Sequence, residues 1–310
     1  MDQQSRAEND PMKIGLVGLG LVGTAMAQRL IPGGMQVVGY DTDKTAQERL
    51  LKLGGSVAAT ASEAVQAGPI VLMSLPDGRI VKSVIDQCLA ALLPGTIIID
   101  TTTASPTEVM DVHRRLQENE IEYLDATISG SSYLISKGQA TWMVGGADKA
   151  FHQIIPVLNV IGGVIHHTGP TGSGTRLKLI SNLILGLNRA VLAEGLALAE
   201  FWGMNLVSTL DVLKSTAAYS RVMDAKGEKM ISRDYEPQAR LKQHHKDVLL
   251  MLEAVAGSEM KLYLSELHDD LLFQAEAAGF GELDNAAIIE LWRTEGNHQK
   301  VNQKKSPEGS

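Results

Sequence analysis

The sequence predicts an α/β front half built on a doubly wound parallel sheet, then an all-α back half joined to it through one long helix. Three observations carry that prediction. Strand-like and helix-like runs alternate from residue 12 to about residue 158, the signature of parallel strands linked by right-handed helical crossovers. A G-x-G-x-x-G, Gly18 to Gly23, sits between the first strand-like run and the first helix. Finally, residues 168–202 open on three glycines and then turn apolar on nearly every face.

That last stretch is the longest single element. At ~1.5 Å rise per residue, a helix from Thr175 to Trp202 spans roughly 42 Å, and one apolar around most of its girth needs other elements to cover it. Arg176, Lys178, Arg189, Glu194 and Glu200 interrupt it, which reads against a membrane span. Lys178 and Asn182 lie four apart in its first turns and so share a face. A lysine near a helix start opposes the macrodipole, so another demand must place it there.

The totals narrow the function class. The 310 residues suit two domains, and 44% apolar with 21% charged residues is an ordinary globular composition. A formal charge of −8 argues against nucleic acid or an anionic membrane as partner. Cys88 is the only cysteine, so no internal disulfide forms, and a packed apolar role is expected for it. The first ten residues lack the apolar core of a signal peptide. A cytoplasmic location is expected.

In chain order, MKIGLV (12–17) reads as a buried strand that runs into Gly18, Leu19, Gly20, Leu21, Val22 and Gly23, then a helix. In that setting the first glycine makes the tight turn, the second admits a pyrophosphate, and the third lets helix and strand pack closely. The domain is therefore expected to be a Rossmann dinucleotide-binding unit. A second strand, MQVVGYD, ends in Asp41, placed to accept from a ribose 2′-OH and to repel a 2′-phosphate. No arginine follows in Thr42, Asp43 and Lys44, so NAD is favoured over NADP.

The alternation continues with a helix over 44–53, a brief strand at 56–58, a helix start at Ser62, a strand over 69–76 and a helix over 79–92. A strand over 96–100, a helix over 106–119 and a strand near IEYLDA follow. Ligands in such sheets bind beyond the carboxyl ends of strands. Leu75-Pro76 and the run from Asp100 to Thr103 lie at such ends, where a simple turn or a helix N-cap reads equally well. Ser129, Gly130, Ser131 and Ser132 form a small-residue loop that suits a carboxylate or hydroxyl ligand, or an ordinary tight connection. A strand, TWMVGG, and a helix over 148–158 precede the long helix. After Asn205 only helices are expected.

The predicted divisions are a disordered N-terminus (1–11), the dinucleotide-binding domain (12–172), a helical substrate and oligomerisation domain (173–295) and a disordered tail (296–310). The long apolar helix predicts association into a homodimer or homotetramer. His166-His167 and His244-His245 lack the i, i+4 spacing of a helical zinc pair, so no metal is expected.

Taken in order, these motifs resemble the β-hydroxyacid dehydrogenase family, the relatives of 3-hydroxyisobutyrate dehydrogenase and tartronate semialdehyde reductase, from about residue 12 to about 293. The glycine motif matches with Val22 where methionine is usual. Asp125 to Ser131 resembles the family's D-A-P-V-S-G-G substrate loop. Gly169 through Lys178 and Asn182 matches its catalytic segment, Lys246-Asp247 a later Lys-Asp pair, and Asp100 to Pro106 its D-x-S-T-x-x-P.

The resemblance implies interconversion of a small 3-hydroxy acid and its semialdehyde, with NAD or NADP. It implies Lys178 as general acid/base, Asn182 as its orienting partner or a substrate ligand, and Ser129, Gly130 and Ser131 on the substrate carboxylate. Lys246 and Asp247 would close over the cofactor. Thr127, Ser131, Tyr133 and Trp142 depart from the family pattern and are expected to bear on substrate identity. Two other readings are an imine reductase on a similar fold and a catalytically silent cofactor-binding module; Lys178 argues against both.

Overall fold

Apolar residues that alternate between two buried faces make the central strands, and the computed structural model, which describes residues 11–293, shows them in one eight-stranded sheet. The front half runs β1 (Lys13–Val17), α1 (Leu21–Leu30), β2 (Gln36–Tyr40), α2 (Lys44–Lys52), β3 (Ser56–Val57), α3 (Ala61–Val65), β4 (Ile70–Met73) and α4 (Gly78–Cys88). It continues with β5 (Ile97–Asp100), α5 (Pro106–Gln117), β6 (Glu122–Ser129), α6 (Ser132–Ser136), β7 (Thr141–Gly145), α7 (Asp148–Ile161) and β8 (Val164–Gly169). Strand order is β3-β2-β1-β4-β5-β6-β7-β8. Ile70 and Leu72 of β4 enter the core beneath α1 and α7, while Val71 and Met73 enter the core beneath α3, α4 and α5. Burial on both faces is what a doubly wound sheet requires.

The expected all-parallel sheet needs one correction. β1 to β6 are parallel, but β7 pairs antiparallel with β6, and β8 then runs parallel to β7. Residues 130–140 hold only the short α6, too little chain for a parallel crossover. β8 itself escaped the sequence reading, because Gly162, Gly163 and two histidines break its apolar run. The strand expected over 69–76 stops at Met73, which frees Leu75 and Pro76 to form a turn.

The chain divides into two units at Lys178/Leu179, inside α8 (Ser173–Phe201). The second unit holds the rest of α8 with α9 (Leu206–Lys214), α10 (Arg221–Ser232), α11 (Leu241–Val255) and α12 (Tyr263–Ala277). Its core gathers Ala190, Leu192, Ala193 and Leu196 of α8 with Leu210, Met230, Val248, Leu272 and Ile288. By length and composition alone α8 could cross a membrane, but this packing makes it the core helix of its unit. Two buried charges, Lys226 and Asp284, pair at 2.7 Å within the same unit. Of the termini expected to be disordered, 1–11 and 296–310, all but Pro11 lie outside the described residues.

Candidate active site

Three glycines do three different jobs in the turn from β1 to α1. Gly18 has φ +95°, and a Cβ there would stand 2.1 Å from the Ser74 carbonyl oxygen, so only glycine makes this turn. A Cβ on Gly23 would meet the Gly18 carbonyl oxygen at 2.0 Å. A Cβ on Gly20, by contrast, would point into open space. That opening lies at the α1 N-terminus, which has neither a side-chain cap nor an acid in its first turn. Uncapped N–H groups around an open glycine fit an anionic pyrophosphate.

Asp41, directly after β2, reaches back to this turn: its Oδ2 accepts from Leu19 N at 2.6 Å and its Oδ1 from Asp43 N at 2.8 Å. The acid is thus fixed beside the glycine turn, with lone pairs remaining for ribose hydroxyls. Leu19 is buried beneath the turn, Leu21 is exposed, and Val22 packs partly against the core. Beside Gly20, Leu21 and Thr24 runs a groove of about 260 Å³ whose walls include Arg49 and Tyr133. Arg49 went unnoticed in the sequence because it lies a full turn into α2, beyond the residues next to Asp41. A larger hollow, about 570 Å³, adjoins Met110, His113 and Thr171 and contains none of these groups.

At the ends of β4 and β5 a chain of hydrogen bonds replaces the simple turn or N-cap that the sequence allowed. Leu75 N donates to Thr102 Oγ1 at 3.1 Å, and Thr102 N donates to Asp100 Oδ1 at 2.9 Å. Tyr123 Oη donates to Asp100 Oδ2 at 2.7 Å. Burial pushes the Asp100 carboxyl up to about 6, with the nearby Asp125 charge adding to the rise and these hydrogen bonds opposing it. The α5 N-cap is instead Ser105, in a capping box with Glu108. Pro76 and Thr103 lie on the two turns so organised.

The serine–glycine loop follows β6. Ser129 ends the strand, Gly130 adopts φ +142°, and Ser131 Oγ accepts from Leu134 N at 3.4 Å as the N-cap of α6. Ser131 therefore has a structural task at its departure from the family pattern. Two other departures are buried. Thr127 is fully buried and donates to the Gly174 carbonyl oxygen at 3.0 Å. Trp142 is fully buried and its Nε1 donates to the Gly162 carbonyl oxygen at 3.0 Å. Both are held inside the core. Tyr133 is 66% exposed on the groove wall.

Asp125, four residues into β6, sets the entry to α8. Its Oδ1 accepts from Gly172 N and its Oδ2 from Thr175 N, each at 2.7 Å. An acid capping a helix N-terminus satisfies both its orphan N–H groups and its dipole. One turn further, half-buried Lys178 precedes buried Asn182 by four residues on the same helix. Asn182 Nδ2 donates to Asp247 Oδ2 at 2.8 Å. Lys246 Nζ lies 3.7 Å from Asp247 Oδ1.

The histidines have other partners. His167 stacks on Phe151 at 4.4 Å between ring centroids, and its Nε2 bonds the Gly146 carbonyl oxygen. His245 bonds Glu276 and Asp269 through its two ring nitrogens. Among the described residues, no group of three or more histidine, cysteine, aspartate or glutamate side chains suits a metal ion.

A family model described as the NAD binding domain of 6-phosphogluconate dehydrogenase matches residues 13–169. One described as the NAD-binding of NADP-dependent 3-hydroxyisobutyrate dehydrogenase matches residues 172–292. The 2-(hydroxymethyl)glutarate dehydrogenase of Eubacterium barkeri is 33% identical over 91% of this chain and 95% of its own. The 2-hydroxy-3-oxopropionate reductase of Escherichia coli K12 is 31% identical over 93% of this chain and 99% of its own. Among solved structures, Mycobacterium tuberculosis 3-hydroxyisobutyrate dehydrogenase with L-serine matches with a TM-score of 0.85 at 29% identity, covering 91% of this chain and 99% of that one. An imine reductase from Pseudomonas sp. matches at TM-score 0.64 and 22% identity, a likeness of fold alone.

An open glycine turn with an acid at the end of β2, on a doubly wound sheet, marks an oxidoreductase that uses NAD or NADP. With both halves matched in order, the chain belongs to the β-hydroxyacid dehydrogenase family, that of 3-hydroxyisobutyrate dehydrogenase. It is an NAD(P)-dependent hydroxyacid dehydrogenase, acting on a hydroxyl group.

Proposed function

We propose that the chain interconverts a small 3-hydroxy acid and its semialdehyde, with Lys178 as the general acid/base. The observation that carries this reading is the fixed amide of Asn182, one turn from Lys178. A carboxylate only accepts, so the bond to Asp247 commits an N–H of the Asn182 amide and leaves its Oδ1 as an acceptor. When bound, the nicotinamide supplies C4 as the hydride acceptor or donor. In the oxidising direction the Lys178 amine takes the hydroxyl proton, and in the reducing direction its ammonium returns one. Ser129, the Gly130 N–H and Ser131 are the donors assigned to the substrate carboxylate.

NADH formation with 3-hydroxyisobutyrate, 2-(hydroxymethyl)glutarate, L-threonate and glycerate tests the substrate class. Turnover of at least one 3-hydroxy acid is expected; turnover of imines alone would overturn the reading. Gly18, Leu19, Gly20, Leu21, Val22, Gly23, Leu75, Pro76, Thr103, Lys246 and Asp247 are assigned to the cofactor. NAD is the favoured form, because Asp41 and Asp43 would face a 2′-phosphate with negative charge. Asp41→Ala is expected to narrow the NAD over NADP preference in kcat/KM by about tenfold, the size of one lost charge repulsion. Unchanged discrimination would place the selective group elsewhere.

We assign the chain to the cytoplasm, which suits its lone, buried Cys88, and to a homodimer or homotetramer. On α8, Ile184, Val191 and Leu198 are exposed at spacings of seven, flanked by Ile180 and Phe201. A seven-residue apolar repeat is the seam by which helices pair. Val191→Glu is expected to shift the assembly toward monomer in light scattering after size exclusion; a wild-type chain that is monomeric would refute the assignment.

A further inference from the structure

We propose that Tyr123 is a positioning residue for the dinucleotide, holding the turns after β4 and β5 in place through Asp100. The inference rests on the assignment of Leu75, Pro76 and Thr103 to the cofactor. Tyr123 is buried at the start of β6, and its hydroxyl spends its proton on Asp100 Oδ2 at 2.7 Å. The other oxygen of that carboxylate holds Thr102 N at 2.9 Å, and the Thr102 hydroxyl holds Leu75 N at 3.1 Å. One unbroken path thus runs from the phenol to the main chain of the β4 turn. Every link is 3.1 Å or shorter, and Tyr123, Asp100 and Thr102 are all buried.

The path works only while Asp100 is ionised, because a protonated carboxyl presents one acceptor fewer to the Tyr123 hydroxyl and the Thr102 N–H and hydroxyl that bond it. The charged group that bears on it is an acid, and so is the one that bears on Tyr123. Asp125 is its register partner on β6, and Glu108 of α5 faces Tyr123. Neither helps a buried carboxylate stay charged, so the Tyr123 hydrogen bond is one of the few contributions that do. The carboxyl is already raised to about 6, by burial first and by Asp125 in addition. Loss of the phenol hydroxyl therefore moves its titration further up, toward neutral pH.

The test is NADH affinity of the full chain, by fluorescence titration between pH 5.5 and 9, for wild type, Tyr123→Phe, Asp100→Asn and Leu75→Asp. Wild type is expected to bind evenly at alkaline pH and to weaken as pH falls through about 6. In Tyr123→Phe the same fall is expected about one pH unit higher, the worth of one hydrogen bond to a charged group. Its loss at pH 7 should appear in KM for NAD more than in kcat, and should be recovered at pH 9. Asp100→Asn cannot titrate and is expected to give a flat profile, which reads the same path should Tyr123→Phe not fold. A Tyr123→Phe profile that overlays wild type, or an Asp100→Asn profile that keeps the acid fall, would overturn the role of Tyr123 while Leu75→Asp still binds poorly. Undiminished NADH binding by Leu75→Asp would instead remove the cofactor assignment of the turn, and this proposal with it.

Discussion

Lys178→Ala is expected to lower kcat for the hydroxy acid by about 10³-fold, within the range that a positioned acid/base contributes, while NADH binding persists. The physical reason is the lack of a substitute. Water in the vacated space has no fixed orientation, and the Asn182 amide neither takes nor gives a proton at neutral pH. Lys178→Arg should not rescue, because a guanidinium does not deprotonate in this range. In wild type the oxidation rate should rise with pH as the lysine becomes neutral, and the alanine variant should lose that limb. A small primary amine added to Lys178→Ala should restore part of the rate. A loss under about tenfold, with the rising limb intact, would assign the proton transfer to another group. Asp247→Ala is a milder version of the same test: it frees the Asn182 amide, so a loss in kcat is expected without loss of the pH limb.

Much of this geometry was legible in the sequence, for reasons that differ between residues. Gly18, Gly20 and Gly23 could be read because their spacing encodes one turn, and a Cβ at each meets a different fate. Asp41 could be read because strand length fixes where β2 ends. α8 was visible as a long, mostly apolar run, and the Lys178 to Asn182 spacing followed from helical periodicity alone. What escaped depends on contacts between residues far apart in sequence. Tyr123 reads as an apolar strand residue, and nothing local shows that its hydroxyl meets Asp100. Thr127 sits in the substrate-loop pattern and Trp142 on the strand after it, but β6 and β7 are buried on both faces, so both side chains lie in the interior. The antiparallel return of β7 follows from chain length instead of from any motif: residues 130–140 are too few for a parallel crossover. Asp284 gave no signal at all.

Asp284→Ala is expected to destabilise the chain by about 3–5 kcal/mol at pH 7, the cost of leaving a buried charge without its partner. Asp284 has no exposed surface and accepts both contacts of the Lys226 ammonium, at 2.7 and 2.9 Å. The same carboxylate accepts from Gln238 N at 2.9 Å, Ala239 N at 3.2 Å and Ala286 N at 3.1 Å. It also opposes the buried Arg189 guanidinium, which burial lowers to about 10 and whose Nε and Nη2 find no hydrogen-bond partner among the described residues. Removing one acid would therefore strand two buried cations and three main-chain donors. Replacing both members of an ion pair with apolar residues is often harmless, but here Lys226→Met with Asp284→Leu should recover only part of the loss. The cation would be gone, while the three N–H groups would remain unsatisfied.

The pH dependence has a definite sign. Burial works to raise the Asp284 carboxyl, and Lys226 together with the Gln238 and Ala286 N–H groups outweighs it, so the net shift is downward. A carboxyl depressed in the folded state stabilises above its unfolded value of ~3.9, and that contribution disappears as pH falls through the lower folded value. The gap between wild type and Asp284→Ala in urea unfolding should accordingly be widest near neutrality and shrink in acid. Asp100, raised instead of depressed, works the other way: between about 4 and about 6 its contribution to stability falls as pH rises. A gap below about 1 kcal/mol at pH 7 would mean that Lys226 and the three donors find other partners, and that this pair does not hold α10 to the segment after α12.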